Sequence, residues 1–144
     1  MKILIRKPAL ADFPEVFALL KQLWLHKRFN KNLMKKTFAK ALKNKSQDCI
    51  IAVYNGRTIG FASATIKNSF WDTGNSCYID TLVVDKMYRG YGIGKKLLKE
   101  IINLAKKKAC KRIECDSDFR RKEAHKFYES HGFEKCNFMF SKDI

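Results

Sequence analysis

The period of the apolar positions changes several times along the chain, and each change predicts an element. Residues 2–6 (Lys-Ile-Leu-Ile-Arg) alternate as a first strand. Phe13, Val16, Phe17, Leu20, Leu23 and Trp24 then recur at helical spacing. Asp12, Pro14 and Glu15 predict a capped helix start, with Glu15 as the capping-box partner. Leu33, Met34, Thr37, Phe38, Ala41 and Leu42 predict a second helix over 32–42. Residues 48–54 and 57–66 read as two strands joined by Asn55-Gly56, a type I′ hairpin signal. A loop over 67–76 holds Phe70 and Trp71, and 77–84 is a fourth strand. Ile93, Leu97, Leu98, Ile101, Ile102 and Ala105 predict a helix over 92–108, followed by a strand over 111–116. Ala124, Phe127 and Tyr128 mark a last helix over 122–131, stopped by Gly132, and 133–141 reads as a closing strand.

The junction at 84–95 carries the chemistry. A β-branched run ends at Val84, Arg89-Gly90-Tyr91-Gly92-Ile93-Gly94 follows, and a helix begins at once. Glycines let a backbone approach a ligand closely, and the free N–H groups of a helix start point at an anion. Three loop types compete. A P-loop needs a hydroxyl after its lysine, but Lys95 is followed by Lys96. A dinucleotide fingerprint needs GxGxxG, whereas Gly90, Gly92 and Gly94 alternate. The third type, Arg-x-x-Gly-x-Gly after a strand ending in valine, fits without gaps.

A second segment, Ala124-His125-Lys126-Phe127-Tyr128-Glu129-Ser130-His131-Gly132-Phe133, has the form A-x-x-F-Y-x-x-x-G-F. With these two segments, in this order, the chain resembles the GNAT superfamily of acyl-coenzyme A-dependent N-acyltransferases. The resemblance implies one α/β (α+β) domain over 1–144. Its mixed, mostly antiparallel sheet would have about six to seven strands, flanked by about four helices. It implies acetyl-CoA as cosubstrate and a primary amine as acceptor, joined by direct transfer without an enzyme nucleophile. The backbone of Leu82, Val83 and Val84 would bind the pantetheine arm. Arg89, Gly90, Tyr91, Gly92, Ile93, Gly94 and Lys95 would form the pyrophosphate loop. Tyr128 matches the tyrosine that protonates the departing thiolate, although a core aromatic with a locally bonded hydroxyl fits the same position. Asp80 matches a carboxylate that takes the amine proton. The strand period of two places it on the face of Leu82 and Val84, and a hydrogen bond to a neighbouring loop is the other reading. Arg121 stands where many relatives have an asparagine that orients the cofactor. Homodimers are common in the family.

Composition narrows the rest. Thirty Lys and Arg against fourteen Asp and Glu give a formal charge of +16. This suits an anionic cosubstrate and disfavours a strongly cationic acceptor, unless Asp72, Asp80, Asp116 and Asp118 make the pocket locally acidic. Trp24, Phe70 and Trp71 are candidates for an apolar acceptor wall. The basic residues are spread along the chain, as on a solvated surface rather than a nucleic-acid groove. Five scattered cysteines read as reduced thiols, and no ligand spacing predicts a metal. No apolar run reaches the ~20 residues of a membrane span, and the N-terminus does not read as a secretory signal, so a cytoplasmic location is expected. A small-molecule acceptor is favoured. The competing class is a non-catalytic CoA-sensing or RNA- and ribosome-binding protein on the same fold.

Overall fold

The computed structural model describes residues 1–144. Five strands form one sheet in chain order: β1 (Leu4–Arg6), β2 (Gln47–Tyr54), β3 (Arg57–Ser69), β4 (Gly74–Val84) and β5 (Ile113–Glu114). The first four pair antiparallel, and β5 joins β4 in parallel. Four helices flank it: α1 (Phe13–Leu23), α2 (Lys31–Lys43), α3 (Ile93–Lys107) and α4 (Lys122–Ser130). A β-strand sends alternate side chains to opposite faces, so the sheet has two cores. On one face Ile50, Ala52, Ala62 and Ile79 meet Leu97, Leu98 and Ile101 of α3. On the other, Ile51, Phe61 and Val83 meet Phe13, Val16 and Leu20 of α1 and Phe38 of α2. Asn55 and Gly56 both take positive φ, as the type I′ turn requires.

Four expectations change. The expected loop over 67–76 is mostly hairpin, because β3 runs to Ser69 and β4 starts at Gly74, joined by Ser69↔Gly74 pairing. The predicted capping box does not form. Asp12 instead accepts the Arg6 guanidinium at 2.9 Å and the Ala9 N–H at 2.7 Å. Glu15 accepts the Thr58 N–H at 2.9 Å, which ties α1 to β3. The predicted strand over 111–116 shrinks to two residues. The predicted strand over 133–141 is absent, so the sheet has five strands rather than six or seven. A strand needs a neighbouring edge, and β5 is too short to offer one. The last turn bonds are His131 and Phe133 N–H to the Tyr128 carbonyl, and beyond them Phe138, Met139 and Phe140 stay exposed.

Leu97 is fully buried between α3 and the sheet. Leu97→Ala is expected to cost about 2–5 kcal/mol, from lost burial and the cavity left behind. Urea unfolding monitored by circular dichroism would measure it.

Candidate functional site

The site is built on an interruption in β4. Ser63 faces Thr81 and Ala64 faces Ile79, so Asp80 has no residue opposite and forms a β-bulge. Past the bulge, β4 has a partner on one side only. β5 pairs with Cys77 and Tyr78 and goes no further. The edge of β4 from Ile79 to Val84 is therefore open. The Asp85 N–H bonds the Ile59 carbonyl of β3 at 2.8 Å. By alternation, the N–H and C=O groups of Val84 and Leu82 point the other way, into the open edge. The Nε of Arg89 donates to the Val84 carbonyl at 3.0 Å, which confirms that direction. This bond turns Arg89 toward the strand exit.

The chain then bends through Lys86–Tyr88 into the glycine loop. Gly90 and Gly92 take φ of +86° and +77°, a region that side-chain-bearing residues rarely adopt. A Cβ at either would meet nothing within 4 Å, so both face open space. Gly92 is the N-cap of α3 and supplies no side-chain acceptor, and the first turn has no acidic residue. The first N–H groups of α3 are thus available to an anion, with Lys95 beside them. Gly94 differs: a Cβ there would lie 3.4 Å from the Phe127 ring of α4, an ordinary van der Waals contact.

The open edge, the glycine loop and α4 line one groove of about 1580 Å³. This exceeds the roughly 300–1,000 Å³ of a pocket for one small ligand, so it has room for a large cosubstrate beside an acceptor. Leu82, Val83, Val84, Arg89, Gly90, Gly92, Ile93, Gly94, Lys95 and Tyr128 all line it. Tyr91 does not and is exposed. Tyr128 packs between Phe127 and Phe133, each ring at 5.3 Å, and its hydroxyl meets the Cys115 thiol. Burial, then the Cys115 contact, raises its pKa, so it is protonated throughout the neutral range.

Three placements differ from the sequence reading. Asp80 is not on the face of Leu82 and Val84, because the bulge shifts the alternation by one residue. Leu82 and Val84 pack on the α3 side, whereas Asp80 accepts the Thr65 hydroxyl at 2.7 Å on the α1 side. It lies outside the groove lining, and burial raises its pKa, with Thr65 and Gln47 partly offsetting this. Phe70 and Trp71, 96% and 82% exposed, sit at the hairpin tip at the far end of β4 from the glycine loop. The expected acidic lining is not assembled. Asp72 pairs with Arg112 and Asp118 with Arg120, and of the four named aspartates only Asp118 reaches the groove. Sequence reasoning did not single out Gln22, Leu25, His26 and Lys27, which line the groove beside Trp24. The Gln22 side-chain oxygen accepts the Lys86 N–H at 2.9 Å and anchors that wall. No local pattern marks such residues, because only the packing of α1 against β4 brings them to the site.

Residues 13–133 match the family model described as acetyltransferase (GNAT) family. Among curated proteins, the chain is 35% identical over 79 residues to a glucosamine 6-phosphate N-acetyltransferase from Trypanosoma brucei brucei, covering 54% of this chain and 52% of that protein. It is 26% identical over 140 residues to an aminoalkylphosphonate N-acetyltransferase from Salmonella typhimurium, covering 97% and 90%. The fold superimposes on the aminoglycoside N-acetyltransferase AAC(6′)-Iy, solved in complex with CoA, with a TM-score of 0.88 and 21% identity over 99% of this chain and 95% of that one.

The raised pKa of Asp80 has a consequence for stability. The folded chain holds this proton more tightly than the unfolded chain, so its contribution is full below the ordinary value of 3.8. It is lost as pH rises through the folded-state value. The stability of the wild type relative to Asp80→Asn should therefore fall as pH rises above the ordinary carboxylate value of 3.8. Urea midpoints of both proteins at several pH values would show it, and a flat difference would mean that Asp80 is as well solvated folded as unfolded.

Proposed function

The chain belongs to the acetyltransferase (GNAT) family, and from that membership we propose that it moves an acetyl group from acetyl-CoA directly to the primary amine of a small molecule. The observation that carries this reading is the continuity of the open β4 edge with the glycine loop and Tyr128 in one groove. An extended amide-bearing arm fits the outward N–H and C=O groups of Leu82 and the N–H of Val84 as a strand would, and a pyrophosphate fits the open space before Gly90 and Gly92. When bound, acetyl-CoA supplies the activated thioester. The residues of this chain bind, align and exchange protons, and no enzyme nucleophile is required.

Tyr128 is the group we assign to the departing sulfur. A thiol has an ordinary pKa of about 8.5, below that of the buried phenol, so complete proton transfer from Tyr128 is uphill. Its hydroxyl therefore stabilises the developing thiolate by donating a hydrogen bond. A hydrogen bond to a charged group is worth about 1.5–3 kcal/mol, or roughly ten- to a hundredfold in rate. For the amine proton we assign Asp80, the carboxylate that β4 carries at the start of its open edge, acting through water. Two features support this: its position at the bulge and the burial that raises its proton affinity. The reading also places the protein in the cytoplasm as one catalytic unit. No helix is long and apolar enough to cross a membrane.

Calorimetric titration with acetyl-CoA tests the site. Binding should be lost in Gly92→Arg, whose side chain would fill the space before α3. Binding that survives there, or is absent from the wild type, would leave the loop as a plain turn and shift attention to RNA. Tyr128→Phe should lower kcat by roughly tenfold or more with little change in the Kd for acetyl-CoA. Because its pKa is raised, the wild-type rate should show no alkaline limb from Tyr128 below about pH 10. Asp80→Asn should displace the acid limb of the pH–rate profile, and an unmoved limb at full activity would remove Asp80 from the mechanism.

A further inference from the structure

The groove wall at the turn from α1 to α2 has a one-sided charge pattern. Between Glu15 and Asp48 the chain carries no acidic residue but has Lys21, Lys27, Arg28, Lys31, Lys35, Lys36, Lys40, Lys43 and Lys45. Three of these ammonium groups gather on one aromatic cluster at the turn from α1 to α2. Lys21 and Lys31 lie 5.1 and 5.7 Å from the Phe17 ring centroid, and Lys27 lies 5.7 Å from that of Phe29. Phe29 packs on Phe17 at 6.4 Å and on Trp24 at 5.8 Å. None of the three lysines has a carboxylate partner. Cation–π contacts hold such charges in place without neutralising them. The segment leads into the N-terminus of α2, whose dipole adds to the positive potential. Of the three, Lys27 reaches the groove, with His26 and Trp24 beside it.

In the acetyltransferase reading the cosubstrate's phosphates are met by the N-terminus of α3 with Lys95, beside the glycine loop. The positive wall at Lys27 is left for the second substrate. Resting on the acetyltransferase reading, we propose that the acceptor amine carries an anionic group, a phosphonate, phosphate or carboxylate, which Lys27 binds at the rim of the groove. Lys21 and Lys31 reinforce the potential from behind the aromatic cluster, and Trp24 supplies an apolar surface for the carbon chain between amine and anion. The same wall repels a polyamine.

The test uses protein saturated with CoA, which occupies the cosubstrate site without reacting, and titrates 2-aminoethylphosphonate, β-alanine and uncharged-tail propylamine. The two anionic amines should bind at least about tenfold more tightly than propylamine, the scale of one charge-assisted hydrogen bond. Lys27→Ala should erase most of that ratio and Lys27→Arg should restore it. Lys40→Ala, which removes the same charge on α2 away from the groove, should leave the ratio in place, which separates a local contact from the pull of the +16 chain. Equal or tighter binding of propylamine, or a ratio unmoved by Lys27→Ala, would overturn the proposal. A Lys27→Ala protein with weakened CoA binding and an intact ratio would also overturn it, by assigning Lys27 to the cosubstrate. Those failures leave CoA binding or thiol release on turnover intact. Absence of both in the wild type would instead remove the acetyltransferase reading itself, and the proposal with it.

Discussion

Backbone N–H and C=O groups must be paired, and the second half of β4 has no strand on its outer edge. That unmet demand organises the molecule. The bulge at Asp80 and the two-residue length of β5 separate the strands past Tyr78, leaving Leu82 and Val84 presenting polar groups to a groove rather than to a neighbour. An exposed edge invites pairing by any extended chain. Here residues at the end of α1, the glycine loop and α4 line the groove beside it. The two apolar cores exist to hold this geometry, with α3 fixing one face of β4 and α1 the other. Tyr128, between Phe127 and Phe133, lines the same groove.

The same bulge separates the two proton-handling candidates. Tyr128 lies with α4 on the α3 side, whereas Asp80 bonds Thr65 on the α1 side. A regular strand would have put Asp80 with Leu82 and Val84. One inserted residue instead turns Asp80 to the face opposite Tyr128. The basic wall at Lys27 then adds selection, because its charges are held by aromatic rings rather than quenched by carboxylates.

What was legible in the sequence was what depends on neighbours in the chain. Helical stripes, the Asn55-Gly56 turn and the strand–glycine–helix junction follow from local periodicity and backbone freedom, and the structure has all of them within a residue or two. Positive φ at Gly90 and Gly92 is local in the same sense. The misplaced elements depended on distant partners. Glu15 matched a capping box, but the Thr58 N–H offered it a bond across the fold. Residues 133–141 were expected as a strand, yet β5 is too short to pair with them. Phe70 and Trp71 were suitable acceptor-wall residues by type, and the length of the β3–β4 hairpin carried them away.

The sequence by itself thus determined the family, the glycine loop and the helix that carries Tyr128, because these rest on contiguous residues whose backbone geometry is set by glycine and by helix starts. Only the tertiary structure decided which side of the sheet Asp80 faces, how far β4 stays open, and that Gln22 to Lys27 wall the groove. Each of these turns on one residue of register or on helix–sheet packing. A shift of one position in a strand costs little in local sequence preference but moves a side chain to the opposite face.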